Sequence, residues 1–179
     1  ILSPMHKGET GIKILNSNIQ NIYSRKGKLV FTRKDGSVQI FSGDKVIQTS
    51  NNYDLMVMNG DIGTVQEKID NKIIVSFDNR EIIYSGLDPY DLDLAYAISI
   101  HKSQGSEYPG IIIPINFEHT HMLSRNLLYT GITRGKKLVV LVGEEKIFRA
   151  AINAFWKDSR YTNLTSALKN KSELILENT

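Results

Sequence analysis

The chain begins with apolar residues at helical spacing. Within residues 11–23 they recur every three or four positions, and asparagine and glutamine fill the other faces, which predicts an amphipathic helix. The apolar stripe consists of Ile12, Leu15, Ile19 and Ile22. The preceding pair, Ile1-Leu2, is typical of the end of a buried strand. The sequence therefore predicts a strand and then a helix at its start.

From residue 28 the pattern changes to short β-prone runs separated by turn sequences. The runs cover residues 28–33, 37–41, 45–49, 63–69, 72–77 and 81–84. Lys34-Asp35-Gly36, Asn59-Gly60 and Asp70-Asn71 are typical of turns between antiparallel strands. Short strands at this spacing predict a small antiparallel β-barrel over residues 27–87.

After this barrel the pattern is that of an α/β unit. Residues 110–115 and 138–142 are nearly continuous apolar runs, as in buried parallel strands, and helices are predicted over 123–133 and 144–156. We expect Pro114 to end the pairing of the first of these strands. Because parallel strands need crossover connections, the order predicts a layer sandwich of the RecA-like or Rossmann-like kind.

These patterns divide the chain into a discontinuous α/β domain and an inserted barrel. The α/β domain comprises residues 1–26 and 88–170, including a last short helix at 164–168, and polar residues 171–179 form a frayed tail. The chain starts without methionine and with a strand-like apolar pair. We therefore expect it to be cut from a longer protein.

Composition and charge narrow the functional classes. The 179 residues suit one domain of ordinary size, or one domain with a small inserted module, and the 41% hydrophobic content excludes wholesale disorder. The chain has no cysteine and no apolar run of transmembrane length, so we expect no thiolate site and no membrane partner. Residues 1–50 carry eight basic and three acidic side chains, whereas residues 51–100 carry three and nine. This asymmetry suits either a basic groove for a polyanion or ordinary solvated charge.

Two polar segments interrupt the apolar pattern of the α/β unit. Ser99–Glu107 follows one predicted strand, at the edge where such sheets bind ligands, although a polar connecting loop has the same pattern. Tyr129–Lys137 places three cations before a buried strand, which suits phosphate contact or helix-dipole compensation. No GxxxxGK[ST] motif occurs, and His119 and His121 lack an acidic cluster, so we predict no metal site.

Four segments together resemble a known family. Residues 99–107, SIHKSQGSE, resemble helicase motif V, and residues 126–136, NLLYTGITRGK, resemble motif VI. Residues 3–15 resemble the segment around motif IV, and residues 43–63 resemble the start of a Src-homology-3-like barrel. The combination is similar to the C-terminal motor half of RecD-like superfamily-1 DNA helicases, the group that includes the exodeoxyribonuclease V alpha subunit. The resemblance covers nearly the whole chain, to about residue 170.

The resemblance implies the nucleotide-site residues. In such motors ATP with Mg²⁺ lies between two RecA-like domains, and Arg134 matches the motif VI arginine that reaches the γ-phosphate. Lys7 stands where a second catalytic cation is expected. Gln104 and Gly105 match residues that line the phosphate side of the nucleotide, and Glu107 matches the acid that accepts a hydrogen bond from a ribose hydroxyl.

The resemblance also implies contacts to single-stranded DNA. Ser99 and His101 match positions that face the DNA backbone. The barrel adds amide and aromatic groups suited to gripping or stacking on single strands. These candidates are Asn51, Asn52, Tyr53 and Asn59. An alternative interpretation is that the asparagines form turns and the tyrosine belongs to the core.

The implied activity is 5′→3′ helicase translocation in DNA recombination and repair, in the cytoplasm. We expect this chain to be inactive alone, because the phosphate loop, the Mg²⁺ ligands and half of the DNA track lie outside it. The implied partners are single-stranded DNA and an N-terminal RecA-like domain. The resemblance is compatible with a subunit of a helicase–nuclease complex and with a helicase that acts by itself. Two other interpretations are the helicase part of a conjugative relaxase and a non-catalytic nucleic-acid-binding module.

Overall fold

A computed structural model describes residues 1–23, 27–78 and 80–153 of the chain. The strands and helices in chain order are β1 (Leu2–Ser3), α1 (Ile12–Tyr23), β2 (Leu29–Thr32), β3 (Gln39–Phe41), β4 (Lys45–Gln48), β5 (Ile62–Ile69), β6 (Lys72–Phe77), β7 (Arg80–Tyr84), β8 (Leu92–Leu94), β9 (Ile98–Ser99), β10 (Tyr108–Ile115), α2 (Arg125–Ile132), β11 (Gly135–Gly143) and α3 (Glu145–Asn153). The predicted helix at 164–168 and the tail at 171–179 lie outside the described residues. None of the described helices is long and apolar enough to cross a membrane.

The first and last parts of the chain form the predicted α/β unit. Strand β1 pairs in parallel with β9, and β10 pairs in parallel with β11. Helix α2 connects β10 to β11, and its first turn is capped by Ser124, whose Oγ accepts the N–H of Leu127 at 3.2 Å. The buried branched side chains of β10 pack with Leu127 and Leu128 of this helix. The parallel pairing and its crossover helix confirm the α/β layer sandwich.

The expectation that Pro114 ends the pairing of its strand is wrong. Pro114 aligns with Val142, and the ladder continues to the pair of Ile115 and Gly143. A proline fits in such a ladder where the N–H that it lacks would point away from the partner strand.

Residues between the two parts of the α/β unit form the antiparallel module. Five strands pair in the order β7-β6-β5-β4-β8, and β2 and β3 form a separate hairpin. Their inner faces bury a core that includes Val46, Val65, Val75 and Tyr84. Strand β8 pairs with β4, so the antiparallel sheet extends beyond residue 87, where the sequence pattern ended the barrel. The register with β4 decides this membership, because the apolar pattern of residues 92–100 suits either a strand or a helix.

Strand β4 is shared by the two units. Val46 belongs to the core of the antiparallel module, whereas its neighbour Ile47 is buried in the core of the α/β unit. Successive side chains of a strand point to opposite faces, so one short strand serves both cores. A second link comes from Asn16 of α1, which is buried and bonded to the chain between β8 and β9. The module is therefore tied to the sheet that carries the candidate site.

Candidate functional site

The segment after β9 folds into a tight, well-bonded turn. Ser99 is buried, and its Oγ accepts the N–H of Lys102 at 3.0 Å. Ser103 is fully buried and donates from its Oγ to the carbonyl of Ile100 at 2.7 Å. These bonds fix the turn and leave His101 exposed at its surface. The Oγ of Ser99 can still donate its proton to a phosphate oxygen. Because Ser99 is only 6% exposed, its predicted DNA contact requires the DNA backbone to approach this hydroxyl closely.

Gly105 ends this turn with a positive φ of 83°, a conformation that favours glycine. A Cβ at this position would meet no atom within 4 Å, so space lies open beside the backbone. Gln104 beside it is exposed. The predicted phosphate-side role of these two residues is compatible with this open surface and stays a prediction.

Ser106 and Glu107, at the end of this turn, lie next to the end of α2 because β10 and β11 begin side by side. The N–H of Tyr108 donates to the carbonyl of Arg134 at 2.8 Å. Beside this bond, Glu107 Oε2 forms a salt bridge of 2.7 Å with Lys136 Nζ. The hydrogen bond and charge of Lys136 hold the pKa of Glu107 below its usual value, and Arg134 adds to this effect. The parallel register thus joins an acid and two cations from distant segments.

The side chain of Arg134 is held by three hydrogen bonds and has no carboxylate partner among the described residues. Its Nε donates to Thr130 O, its Nη1 to Ser106 O and its Nη2 to Thr133 Oγ1, each at 3.2 Å. All three acceptors are neutral, and the ion pairs found in the described ranges do not include Arg134. A guanidinium held in this way keeps its charge and retains donors for phosphoryl oxygens.

Lys7 lies on the loop after β1, and this loop contacts the other end of β10. Thr10 Oγ1 lies 3.1 Å from His119 Nε2, and the N–H of Glu9 donates to Glu118 Oε2 at 3.3 Å. Because β10 rises about 3.3 Å per residue, its two ends lie roughly 23 Å apart. The structure therefore groups Glu107 with Arg134 and places the loop of Lys7 at the opposite end of the strand. The role of Lys7 as a second catalytic cation stays a prediction.

His119 is a fully buried group that the sequence analysis considered only as a metal ligand. Its Nδ1 accepts the N–H of Asn116 at 3.2 Å, so the neutral ring carries its proton on Nε2 and donates to Thr10. Burial lowers the pKa of His119, and the nearby Glu118 opposes this shift. His119 therefore joins the loop after β1 to the segment that leads into α2. The sequence cue for this position is that His119 lies four positions after Ile115, the last residue of the buried strand β10.

The four predicted barrel contacts lie together on the loop between β4 and β5. Asn52 and Val57 form an isolated antiparallel bridge, which makes residues 51–59 a small hairpin, the tip loop. Tyr53 is 72% exposed, so its assignment to the core is wrong. Asn51 Oδ1 accepts the N–H of Asn59 at 2.9 Å, and Asn52 Oδ1 accepts that of Leu55 at 3.0 Å. These asparagine oxygens therefore build the turn, as the alternative interpretation holds.

A cavity of about 620 Å³ separates the antiparallel module from the amino end of β10. Asp61, Asp78 and Arg80 line it from the module, and Glu107 lines it from the α/β unit. Arg80 also donates to the carbonyl of Met56 at 3.2 Å and so anchors the tip loop. Within the described part of the chain, no three metal-ligating side chains form a group that could hold an ion.

Two family models match separate parts of the chain. Residues 94–142 match the UvrD-like helicase C-terminal domain, which includes both motif segments of the site. Residues 15–77 match the ATP-dependent RecD-like DNA helicase SH3 domain, which includes most of the antiparallel module.

Curated relatives extend the likeness along the chain. The ATP-dependent RecD2 DNA helicase of Deinococcus radiodurans is 31% identical over 174 residues, which are 94% of this chain and 23% of that protein. The RecBCD enzyme subunit RecD of Haemophilus influenzae is 32% identical over 84% of this chain and 22% of that protein. The chain thus spans about a quarter of the length of the relatives it matches.

Solved structures share the fold. The Pif1 helicase from Bacteroides in complex with ADP-AlF3 and ssDNA has a TM-score of 0.61 and 22% identity, over 96% of this chain and 45% of that one. Pif1 from Candida albicans has a TM-score of 0.53 and 16% identity, over 83% and 48%. Together with the family matches, these findings confirm the expected fold and family: the chain belongs to the RecD-like superfamily-1 DNA helicases and corresponds to their C-terminal motor half.

Proposed function

We propose that this chain is the second motor domain of an ATP-dependent DNA helicase that translocates 5′→3′ on single-stranded DNA in recombination and repair. In the whole protein this domain works with an N-terminal RecA-like domain, and the protein acts in the cytoplasm. The relatives named RecBCD enzyme subunit RecD support a place in a multi-subunit enzyme, and the relative named ATP-dependent RecD2 DNA helicase supports ATP-dependent helicase activity.

The observation that carries the proposal is the grouping of Arg134, Glu107 and Lys136 at the amino ends of β10 and β11. ATP with Mg²⁺ bound between this edge and the N-terminal domain supplies the phosphoanhydride bond that is hydrolysed. The preset guanidinium of Arg134 stabilises charge on the γ-phosphate, and the ionised Glu107 accepts a hydrogen bond from a ribose hydroxyl. The donor set fits a nucleotide because Arg134, which forms no ion pair with any described residue, lies beside the exposed acid Glu107.

The test replaces Arg134 in the full-length protein. We expect Arg134→Ala to lower kcat for ATP by about 10³-fold or more, the scale of an arginine-finger loss, while nucleotide affinity changes little. Arg149→Ala is the matched control, because Arg149 is exposed on the surface of α3 and, within the described ranges, its ion pair is with Glu145. ATP turnover in Arg134→Ala equal to that of Arg149→Ala would refute the assignment.

A further inference from the structure

Two cations hold Glu107 at the amino ends of β10 and β11, and they act on different parts of it. Arg134 Nη1 donates to the carbonyl of Ser106, which fixes the backbone directly before Glu107. Lys136 Nζ lies 2.7 Å from Glu107 Oε2 and pairs with its carboxylate. Among the described residues, Glu107 Oε1 has no hydrogen-bond partner. The protein therefore holds one oxygen of this acid, and the other oxygen is available to a ligand.

The close start of the two strands puts Lys136 beside Glu107. Gly135, the residue before Lys136, aligns with Tyr108 in the parallel register. A Cβ on Gly135 would lie 3.1 Å from Ile111 Cγ1 of β10, so a side chain here would crowd the neighbouring strand. The contact between Lys136 and Glu107 thus follows from a register that brings the two strands together at a glycine.

The ion pair contributes orientation rather than stability. The side chain of Lys136 is 59% exposed and that of Glu107 is 55% exposed, and exposed ion pairs add little to the free energy of folding. An exposed glutamate without a partner samples several rotamers, whereas a partner that holds one rotamer removes this freedom before a ligand binds. Glu107 also lines the cavity of about 620 Å³, so a ligand has room to reach it.

We infer that Lys136 is a positioning residue that orients Glu107 towards a ribose hydroxyl and thereby sets a preference for ribonucleoside triphosphates. The ion pair holds Oε2, and Oε1 accepts the hydrogen bond from the sugar. An acceptor that is held in place favours a substrate that carries the hydroxyl over one that lacks it. The inference rests on the proposed function, since it names the residue that governs how that site recognises its nucleotide.

The test measures steady-state hydrolysis of ATP, 2′-deoxy-ATP and 3′-deoxy-ATP by the full-length protein. Lys136→Met keeps a straight side chain and removes its charge and its donors. We expect the wild type to favour ATP over the analogue without the contacted hydroxyl on the order of tenfold in kcat/KM, the scale of one hydrogen bond to a charged group. In Lys136→Met this preference should fall to about twofold or less, through a higher KM for ATP at an unchanged kcat.

Two further variants separate positioning from structural damage. Lys136→Arg keeps a cation beside Glu107 and should restore the preference for ATP. Lys146→Met removes an exposed lysine whose Nζ lies 2.6 Å from Glu144 Oε2, a similar ion pair beyond the carboxyl end of β11, and should behave as the wild type. Circular dichroism and the urea midpoint of each variant check that it is folded.

Three results would overturn the inference. The first is a rise in KM that is equal for ATP and both analogues, and the second is kinetics of Lys136→Met that match those of Lys146→Met. The third is a wild type that hydrolyses all three nucleotides with the same kcat/KM, because no ribose hydroxyl would then be recognised. That third result leaves the motor assignment to the Arg134→Ala test, so the two failures can be told apart.

Discussion

Asn16 is the side chain on which the attachment of α1 to the motif V strand depends. It lies in the middle of α1, is 6% exposed, and donates from Nδ2 to Leu94 O at 3.1 Å and to Ala97 O at 2.9 Å. Its Oδ1 accepts the N–H of Ala97 at 2.7 Å, and Ala97 itself is fully buried. One residue later the chain enters β9, which leads into the turn of Ser99 and Lys102.

Asn16→Ala removes all three bonds and leaves buried backbone groups without a partner. At about 1 kcal/mol net for each bond the loss is about 3 kcal/mol, and the better helix propensity of alanine returns about 0.5 kcal/mol. We therefore expect the free energy of unfolding to fall by roughly 2.5 kcal/mol. With a urea m-value of about 2 kcal/mol/M, the midpoint shifts down by about 1 M.

The assay is urea unfolding of this chain followed by far-UV circular dichroism. Asn18→Ala is the matched control, because Asn18 is exposed on the same helix and gains the same helix propensity. Its midpoint should stay equal or rise slightly. Equal midpoints for Asn16→Ala and Asn18→Ala, at unchanged m-values, would show that the buried bonds contribute nothing and would refute the reasoning.

Two further predictions concern packing and pH. In Gly63→Ala the new Cβ would lie 2.8 Å from Val75 Cγ1 and 2.9 Å from Ser76 O, so we expect a loss of about 1–3 kcal/mol in thermal or urea unfolding. Gly110→Ala, whose nearest neighbour would lie at 3.6 Å, is the control and should be near neutral. Because burial lowers the pKa of His119, the stability that its neutral ring contributes is present above pH 6.5, the value of the unfolded chain, and is lost as pH falls through the folded pKa. The stability difference between wild type and His119→Gln should therefore shrink below pH 6.5; a constant difference would contradict this.

Local patterns were sufficient to predict most of the elements. The predicted helix over residues 11–23 corresponds to α1 (Ile12–Tyr23), and the helix predicted over 123–133 corresponds to α2 (Arg125–Ile132). The apolar runs at 110–115 and 138–142 lie within β10 and β11. These predictions succeed because helical and strand periodicity and turn residues act between neighbours in the chain. The motif segments could be recognised for the same reason, since each is a continuous stretch of sequence.

What the sequence did not determine depends on contacts between distant segments. The 2.7 Å salt bridge of Glu107 with Lys136 needs the register of two parallel strands. The exposure of Tyr53 and the bonds of Asn16 depend on which neighbours the fold supplies, and an asparagine in a helix looks the same from sequence whether it is buried or solvated.

The sequence by itself thus determined the local elements, the family motifs and an excess of basic residues in its first fifty positions. Only the tertiary structure decided where that charge collects, because Lys13 and Lys102 lie 89 positions apart and meet at one groove through the pairing of β1 with β9. Electrostatic potential depends on distance in space, and the sequence pattern records only distance along the chain.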